Sequence, residues 1–292
     1  MSSPFITCIV LSHDKPEFVT EAIESLARQS LQDWEAIVFD SGDLYDRGFF
    51  QDLPILNDPR FRLIRSWETE ELRRTKTIAS WCFNECFRKE LVRGRYVTYL
   101  CDDDLLYQGA FAAFHQYLKA HAGTMAMYGS VDMTVVNRYG EKYFMREIVA
   151  DEVKGRCCDG GPLDCHVDYL QLCHHVDVLE TFPTDEYWSE DRAVIHHADG
   201  VFLEQIGESF PIVPVDAKIG ENRKVPQSLN EGGDTAELLA ERCRKAEVER
   251  RLKRLGRVGR WILRKGIADW YRAQLLRWRS GKWSTNTTVN ST

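Results

Sequence analysis

The strongest constraint on this chain is an alternation of strand and helix signals over its first hundred or so residues, ending in three consecutive aspartates. Ile6–Leu11 is a short, β-branched apolar run, the pattern of a strand buried on both faces. Ser12-His-Asp-Lys-Pro16 breaks it. Phe18, Val19, Ala22, Ile23, Leu26 and Ala27 then recur at helical spacing. Trp34–Phe39 reads as a second strand followed by the polar break Asp40-Ser-Gly-Asp43, and Arg62–Arg65 as a short third. Residues 77–92 read as a helix, and Tyr96–Leu100 as a strand that stops at Asp102-Asp103-Asp104. This βαβα order predicts an α/β fold with a mainly parallel sheet flanked by helices. Ligands of such sheets bind beyond the carboxyl ends of the strands, where the breaks at 12–14, 40–43 and 102–104 all fall.

The second half is less regular. Residues 112–118 read as helix, Met125–Tyr128 and Met133–Val136 as strands, and the Gly- and Cys-rich stretch 151–165 as a loop. Val167–Phe182 and Val201–Ile206 read as helices and Phe210–Val215 as extended chain. Glu221–Asp234 looks like a polar linker, Ala236–Leu276 like helix interrupted at Gly256, Gly259 and Gly266, and 284–292 like a disordered end. The net charge of −7 conceals a division. From Arg250 onward twelve Lys and Arg face one acid, Asp269, so the rest of the chain is strongly acidic. An acidic body argues against nucleic acid as a partner. Nine scattered cysteines read as reduced thiols. With no secretory signal and no long apolar run, the expectation is a cytoplasmic protein.

Three adjacent carboxylates at the end of a buried strand repel one another, and a cation would relieve that cost. Hard oxygen donors suit Mg²⁺ or Mn²⁺ bound together with substrate phosphates. The plainer alternative is a solvated acidic turn at a helix start. Asp40, after the second strand, could accept hydrogen bonds from a nucleobase or ribose, or simply form a turn. Arg73 and Arg74 precede the helix that leads into the acidic strand; guanidinium groups pair well with diphosphate, and the plainer alternative is two surface arginines.

Residues 5–43 resemble the opening of family 2 glycosyltransferases with the GT-A fold: the strand, the Ser-His-Asp-Lys turn that starts at Ser12, a helix ending Ser25-Leu-Ala-Arg-Gln-Ser-Leu, and Asp33-Trp-Glu-Ala-Ile-Val-Phe-Asp40. Gly94–Asp104 resembles the family's glycine-led strand and Asp-x-Asp metal motif, most closely in the bacterial spore-coat glycosyltransferase branch. The resemblance spans roughly residues 5–220. It implies a Rossmann-like GT-A domain (1–220), beyond which the residue pattern itself reads as a linker (221–235), a basic amphipathic helical extension (236–283) and a disordered tail (284–292). It further implies a nucleotide-sugar donor as co-substrate, UDP-linked by default, with Ser12 and Asp40 at the nucleotide, Asp40 on the base. Arg73 or Arg74 would also meet the nucleotide, with Asp102 at the ribose and Mn²⁺ or Mg²⁺ on Asp103. Cys101 stands where many members carry the motif's first aspartate, so Asp104 is a second candidate ligand. Asp199, ahead of the run Gly200–Ile206, matches the family's catalytic base; alternatively it caps that helix.

The implied reaction is inverting sugar transfer to a carbohydrate, lipid-linked or other hydroxyl acceptor, in polysaccharide or glycoconjugate synthesis. The cluster Cys157, Cys158, Cys165, His166, Cys173, His174 and His175 matches no paired Cys-x-x-Cys framework, and His174 and His175 are expected to line the acceptor side or pack beneath it. The tail's apolar residues, Leu252 to Trp278, interleave with Arg and Lys. Such a helix lies peripherally on an anionic membrane or packs on the acidic body. Two rival readings are a nucleotidyltransferase, which wants a Gly-rich phosphate loop that Ser12–Pro16 lacks, and a catalytically idle scaffold tethered to membranes by the tail.

Overall fold

The computed structural model describes residues 3–66, 70–151, 167–195, 197–228, 233–254 and 265. The chain divides into two compact units, Met1–Glu237 and Leu238–Thr292. In the first, β1 (Ile6–Ser12), α1 (Pro16–Ala27), β2 (Trp34–Asp40), β3 (Phe61–Arg65), α2 (Glu70–Thr75), α3 (Ile78–Arg88) and β4 (Tyr96–Cys101) follow the expected order. Then come β5 (Leu105–Leu106), α4 (Ala110–Ala120), β6 (Ala126–Val136), β7 (Lys142–Ile148), β8 (Leu172–His175), α5 (Ala198–Ser209) and β9 (Ile212–Lys224). Among the described residues nine strands form one sheet in the order β3-β2-β1-β4-β8-β6-β9-β5, with β7 paired to β6. β1 to β4 are mutually parallel, β8 runs antiparallel between β4 and β6, and β9 is parallel to β6.

Period-two alternation explains the layering. Ile6, Cys8 and Val10 of β1 join Val19, Ala22, Ile23 and Leu26 of α1 and Phe111 and Phe114 of α4 in one core. Ile9 and Leu11 point the other way, into a second core with Cys82, Phe83 and Cys86 of α3 and Phe202, Leu203 and Ile206 of α5. All seven residues of β1 and of β2 are buried, as a sheet covered on both faces requires. Gly94, ahead of β4, is set by close approach: a Cβ there would lie 2.4 Å from the Thr7 amide nitrogen.

Two expectations are corrected. Val167–Phe182 is not a helix. Asp168 caps a short 3₁₀ turn at Tyr169–Gln171, β8 follows, and a second 3₁₀ turn covers Val176–Thr181. Leu170, Leu172, Cys173 and His174 are all fully buried, so the segment is covered on both sides, where a helix would bury one stripe. The extended chain read at 210–215 runs on to Lys224, so residues 221–224 of the expected linker are strand.

In the second unit, helix α6 (Gly233–Arg254) begins before the unit boundary and carries the chain into it. Glu241 pairs with Arg244 and Lys245, and Glu247 with Arg251. These pairs give the helix the character of a charge-laced surface helix. The apolar residues Leu255 to Trp278 and the end at 284–292 lie outside the described residues, as do Cys157, Cys158, Cys165 and His166. Cys8, Cys86, Cys101, Cys173 and Cys243 are free thiols among the described residues. Among the described residues no helix is long and apolar enough to cross a membrane.

Candidate functional site

The parallel strands deliver their last residues to one rim. Ser12 and Asp40 are cross-strand partners at the ends of β1 and β2. Asp40 is fully buried, and its carboxylate accepts the amides of Tyr45 at 3.0 Å and Gly42 at 3.3 Å. Burial pushes its pKa up, and those amides, with the Ser12 hydroxyl, oppose the rise. The loop after β1 is pressed against the turn after β2: a Cβ on Gly42 would come within 2.5 Å of Asp14 Oδ1. Asp14 itself holds φ 54°, a left-handed backbone rare outside glycine. Its Oδ1 accepts from the Asp43 amide at 3.0 Å and from Arg47 at 2.9 Å.

Asp102, Asp103 and Asp104, just past β4, are 3%, 6% and 3% exposed, which rules out a solvated acidic turn. Lys15, at the start of α1, sets its ammonium 2.8 Å from Asp102 Oδ1 and 3.0 Å from Asp103 Oδ2. The other oxygen of Asp102 accepts the His13 amide at 2.7 Å. From the far side come residues of β9 and the turn after it. The Arg223 amide donates to Asp104 Oδ1 at 2.8 Å, its Nε donates to the Asp103 carbonyl, and Ser228 Oγ donates to Asp103 Oδ2 at 3.0 Å. Asp168 is held by Asn222 Nδ2 at 3.1 Å and the Leu170 amide at 2.9 Å.

Burial pushes the Asp104 pKa well above the carboxylate range, and the charges of Asp103 and Asp168 add to the rise. Burial also raises Asp102, against the pull of Lys15. For Lys15 burial works against the charge, yet Asp103 and Asp102 outweigh it and hold the ammonium above its ordinary value. The charge argument for a metal is therefore met in part by the chain's own cations, Lys15 beside Asp102 and Lys224 acting on Asp104. The donor set still fits a divalent ion: ligand atoms of Cys101, Asp103 and Asp104 all lie within 4.8 Å of one another.

The structure thus brings Ser12, Asp40, Asp102, Asp103 and Asp104 to one rim. Arg73 reaches it too, with Nη2 2.6 Å from the Ser41 carbonyl. Arg74 is exposed beside it on α2. Asp199 stands in the first turn of α5, its Oδ1 accepting the Gly200 amide at 2.9 Å. The helix's N-cap position belongs to His197, without a side-chain cap. The contacts that bind the acidic cluster run through Lys15, Arg223 and Ser228. Lys15, Asp168, Arg223 and Ser228 were not singled out from the sequence.

A second acidic pair, Glu190 and Asp191, is bonded to α3 and to Lys76, the residue before Thr77. Glu190 is buried as an anchor, accepting from Lys76, from Asn84 at 2.8 Å and from Arg88 at 2.8 Å. Asp191 is exposed and caps a short turn through the Ala193 amide at 2.9 Å. The next residue, Arg192, donates to the carbonyl of Arg73. An open groove of about 790 Å³ lies at the opposite, amino end of β4, beside Gly94, Arg95 and His175.

The fold recurs in solved structures. Staphylococcus aureus TarS (residues 1–349) superposes with a TM-score of 0.51 at 12% identity, over 76% of this chain and 60% of that one. The same fragment in complex with UDP gives 0.50 at 14%, over 77% and 61%. The chain has the GT-A glycosyltransferase fold. The family resemblance read from the sequence therefore stands at the level of fold. The GT-A chain is also 22% identical to Protein CgeD of Bacillus subtilis (strain 168) over 232 residues, 77% of its own length. It spans about half (51%) of that curated relative and about three-fifths of the TarS chains. No family model matches it.

Proposed function

We propose that this chain is a metal-dependent, inverting hexosyltransferase-type glycosyltransferase. It moves a sugar from a nucleoside diphosphate donor, UDP-linked in the first instance, to a hydroxyl of a carbohydrate, lipid-linked or other acceptor, in polysaccharide or glycoconjugate synthesis. The observation that carries this reading is the burial of Asp102, Asp103 and Asp104 beside Asp40 and Ser12 at the carboxyl rim of a GT-A sheet. A protein of like fold, TarS, has been solved with UDP.

Asp40 and Ser12 take the base side, Asp102 the ribose, and Arg73, with Arg74 beside it, the phosphates. Asp103 and Asp104, with Cys101 alongside, hold Mn²⁺ or Mg²⁺. A bound ion supplies positive charge opposite the departing diphosphate. The chain's own tasks are to orient the donor and to take the proton from the acceptor hydroxyl as its oxygen attacks the anomeric carbon. Asp199 is the base by family resemblance. Asp191 is a second candidate, favoured by one observation: the hydrogen bonds Arg192 to Arg73 and Arg73 to Ser41 tie its loop to the nucleotide rim. Residues 236–283 are proposed to touch an anionic membrane surface from the cytoplasmic side.

Calorimetry with UDP, GDP and TDP in the presence of Mn²⁺ tests the core of this reading, and binding of at least one is expected. No binding of any of them, together with no hydrolysis of nucleotide sugars, would leave a scaffold in place of an enzyme.

A further inference from the structure

Lys15 sets its ammonium against Asp103, one of the three residues whose ligand atoms cluster within 4.8 Å. Its main-chain carbonyl is fixed by the amides of Phe18 and Val19 in the first turn of α1. Its side chain is 13% exposed and ends between those of Asp102 and Asp103, whose side chains alone are 4% and 8% exposed. Asp103 Oδ2 accepts from Lys15 Nζ and from Ser228 Oγ, both at 3.0 Å. A carboxylate oxygen offers two lone pairs, so those two donors fill it. A divalent ion on that oxygen needs one donor to leave, and a second positive charge at that distance repels the ammonium while tolerating the neutral hydroxyl.

Resting on the metal-dependent reading above, we propose that Lys15 is a resident rival of the divalent ion for Asp103: the ion enters by displacing the ammonium, and Lys15 thereby sets the metal affinity of the site. The four methylenes behind the ammonium let it swing outward while the backbone stays in place. With no ion bound, the same ammonium keeps Asp102 and Asp103 compensated.

The test is Mn²⁺ binding, followed by the electron paramagnetic resonance of the free ion, in the full-length wild type and in Lys15→Met. The variant is expected to bind Mn²⁺ about tenfold more tightly, because a competing cation has gone. Equal or weaker binding in Lys15→Met overturns the proposal and leaves the metal reading intact. Absence of Mn²⁺ binding in both proteins overturns both. Should Lys15→Met fail to fold, amine-reactive labelling of the wild type read by mass spectrometry decides. Lys15 is expected to label slowly without metal and faster in saturating Mn²⁺. A labelling rate unchanged by bound Mn²⁺ overturns the proposal.

Discussion

Asp103 touches Lys15 and Ser228 through one oxygen and belongs to the proposed metal set, so its replacement separates binding from folding poorly unless both are measured. Asp103→Ala is expected to weaken Mn²⁺-dependent UDP binding by about tenfold or more, roughly 1.4 kcal/mol or above. Calorimetry against a thermal melt of the same sample checks it, and a wild-type affinity would remove Asp103 from the metal. For the base, Asp199→Asn and Asp191→Asn form a pair. The true base is expected to keep nucleotide binding and lose transfer by about a hundredfold or more. If Asp199→Asn turns over normally, the role passes to Asp191. Among single residues, those at strand ends were legible in advance. Asp40 and Asp102–Asp104 each follow an apolar run, so their position could be read without knowing their neighbours. Lys15 was visible only as part of a turn, because nothing local says that its ammonium meets acids in a strand 87 and 88 residues away.

Elements with continuous apolar runs or clean helical spacing, β1 to β4 and α1, came through the sequence nearly intact. β9 did not, because its last residues are polar and buried: Glu221, Asn222 and Arg223 are 5%, 6% and 5% exposed. Each bonds partners from other elements: Thr134 and Lys142 donate to Glu221 at 2.7 and 3.0 Å, Asn222 donates to Asp168, and the Arg223 amide to Asp104. Hydrophobic periodicity is blind to such a strand, and it concealed the half of the site that β9 supplies. β8 was missed for a related reason, and it carries a titratable group. His174 Nδ1 lies 2.9 Å from the His175 carbonyl, which can only accept, so Nδ1 bears the proton. Nε2 must then accept from the Tyr99 hydroxyl at 2.7 Å, and that hydroxyl accepts from Trp188 Nε1 at 3.3 Å.

Burial pushes the His174 pKa down to about 4 from 6.5. Between those values the unfolded chain binds the proton and the folded one does not, so stability rises with pH across this window. Acidification from pH 7 to 4 is expected to remove on the order of 3 kcal/mol through this residue. Urea unfolding at several pH values, compared with His174→Gln, checks it: an equally steep acid loss in the variant would exclude His174 as the cause.

At the scale of the whole molecule, the charge division sets a prediction for the second unit. Full-length chain is expected to float with anionic vesicles in low salt and to leave them as salt screens the basic residues, each worth about 1 kcal/mol near such a surface. Removal of 238–292 is expected to abolish flotation, and equal flotation without them would end the membrane proposal. A different consequence follows from the way Arg223 and Ser228 close over the acidic cluster from 119 and 125 residues downstream. Loop closures that long are slow. During synthesis the aspartates at 102–104 therefore emerge, and their strand pairs with β1, well before the arginine and serine exist to meet them. Until about residue 228 has left the ribosome, Asp104 lacks the Arg223 amide and Asp103 the Ser228 hydroxyl, and the domain's final consolidation waits on its last strand.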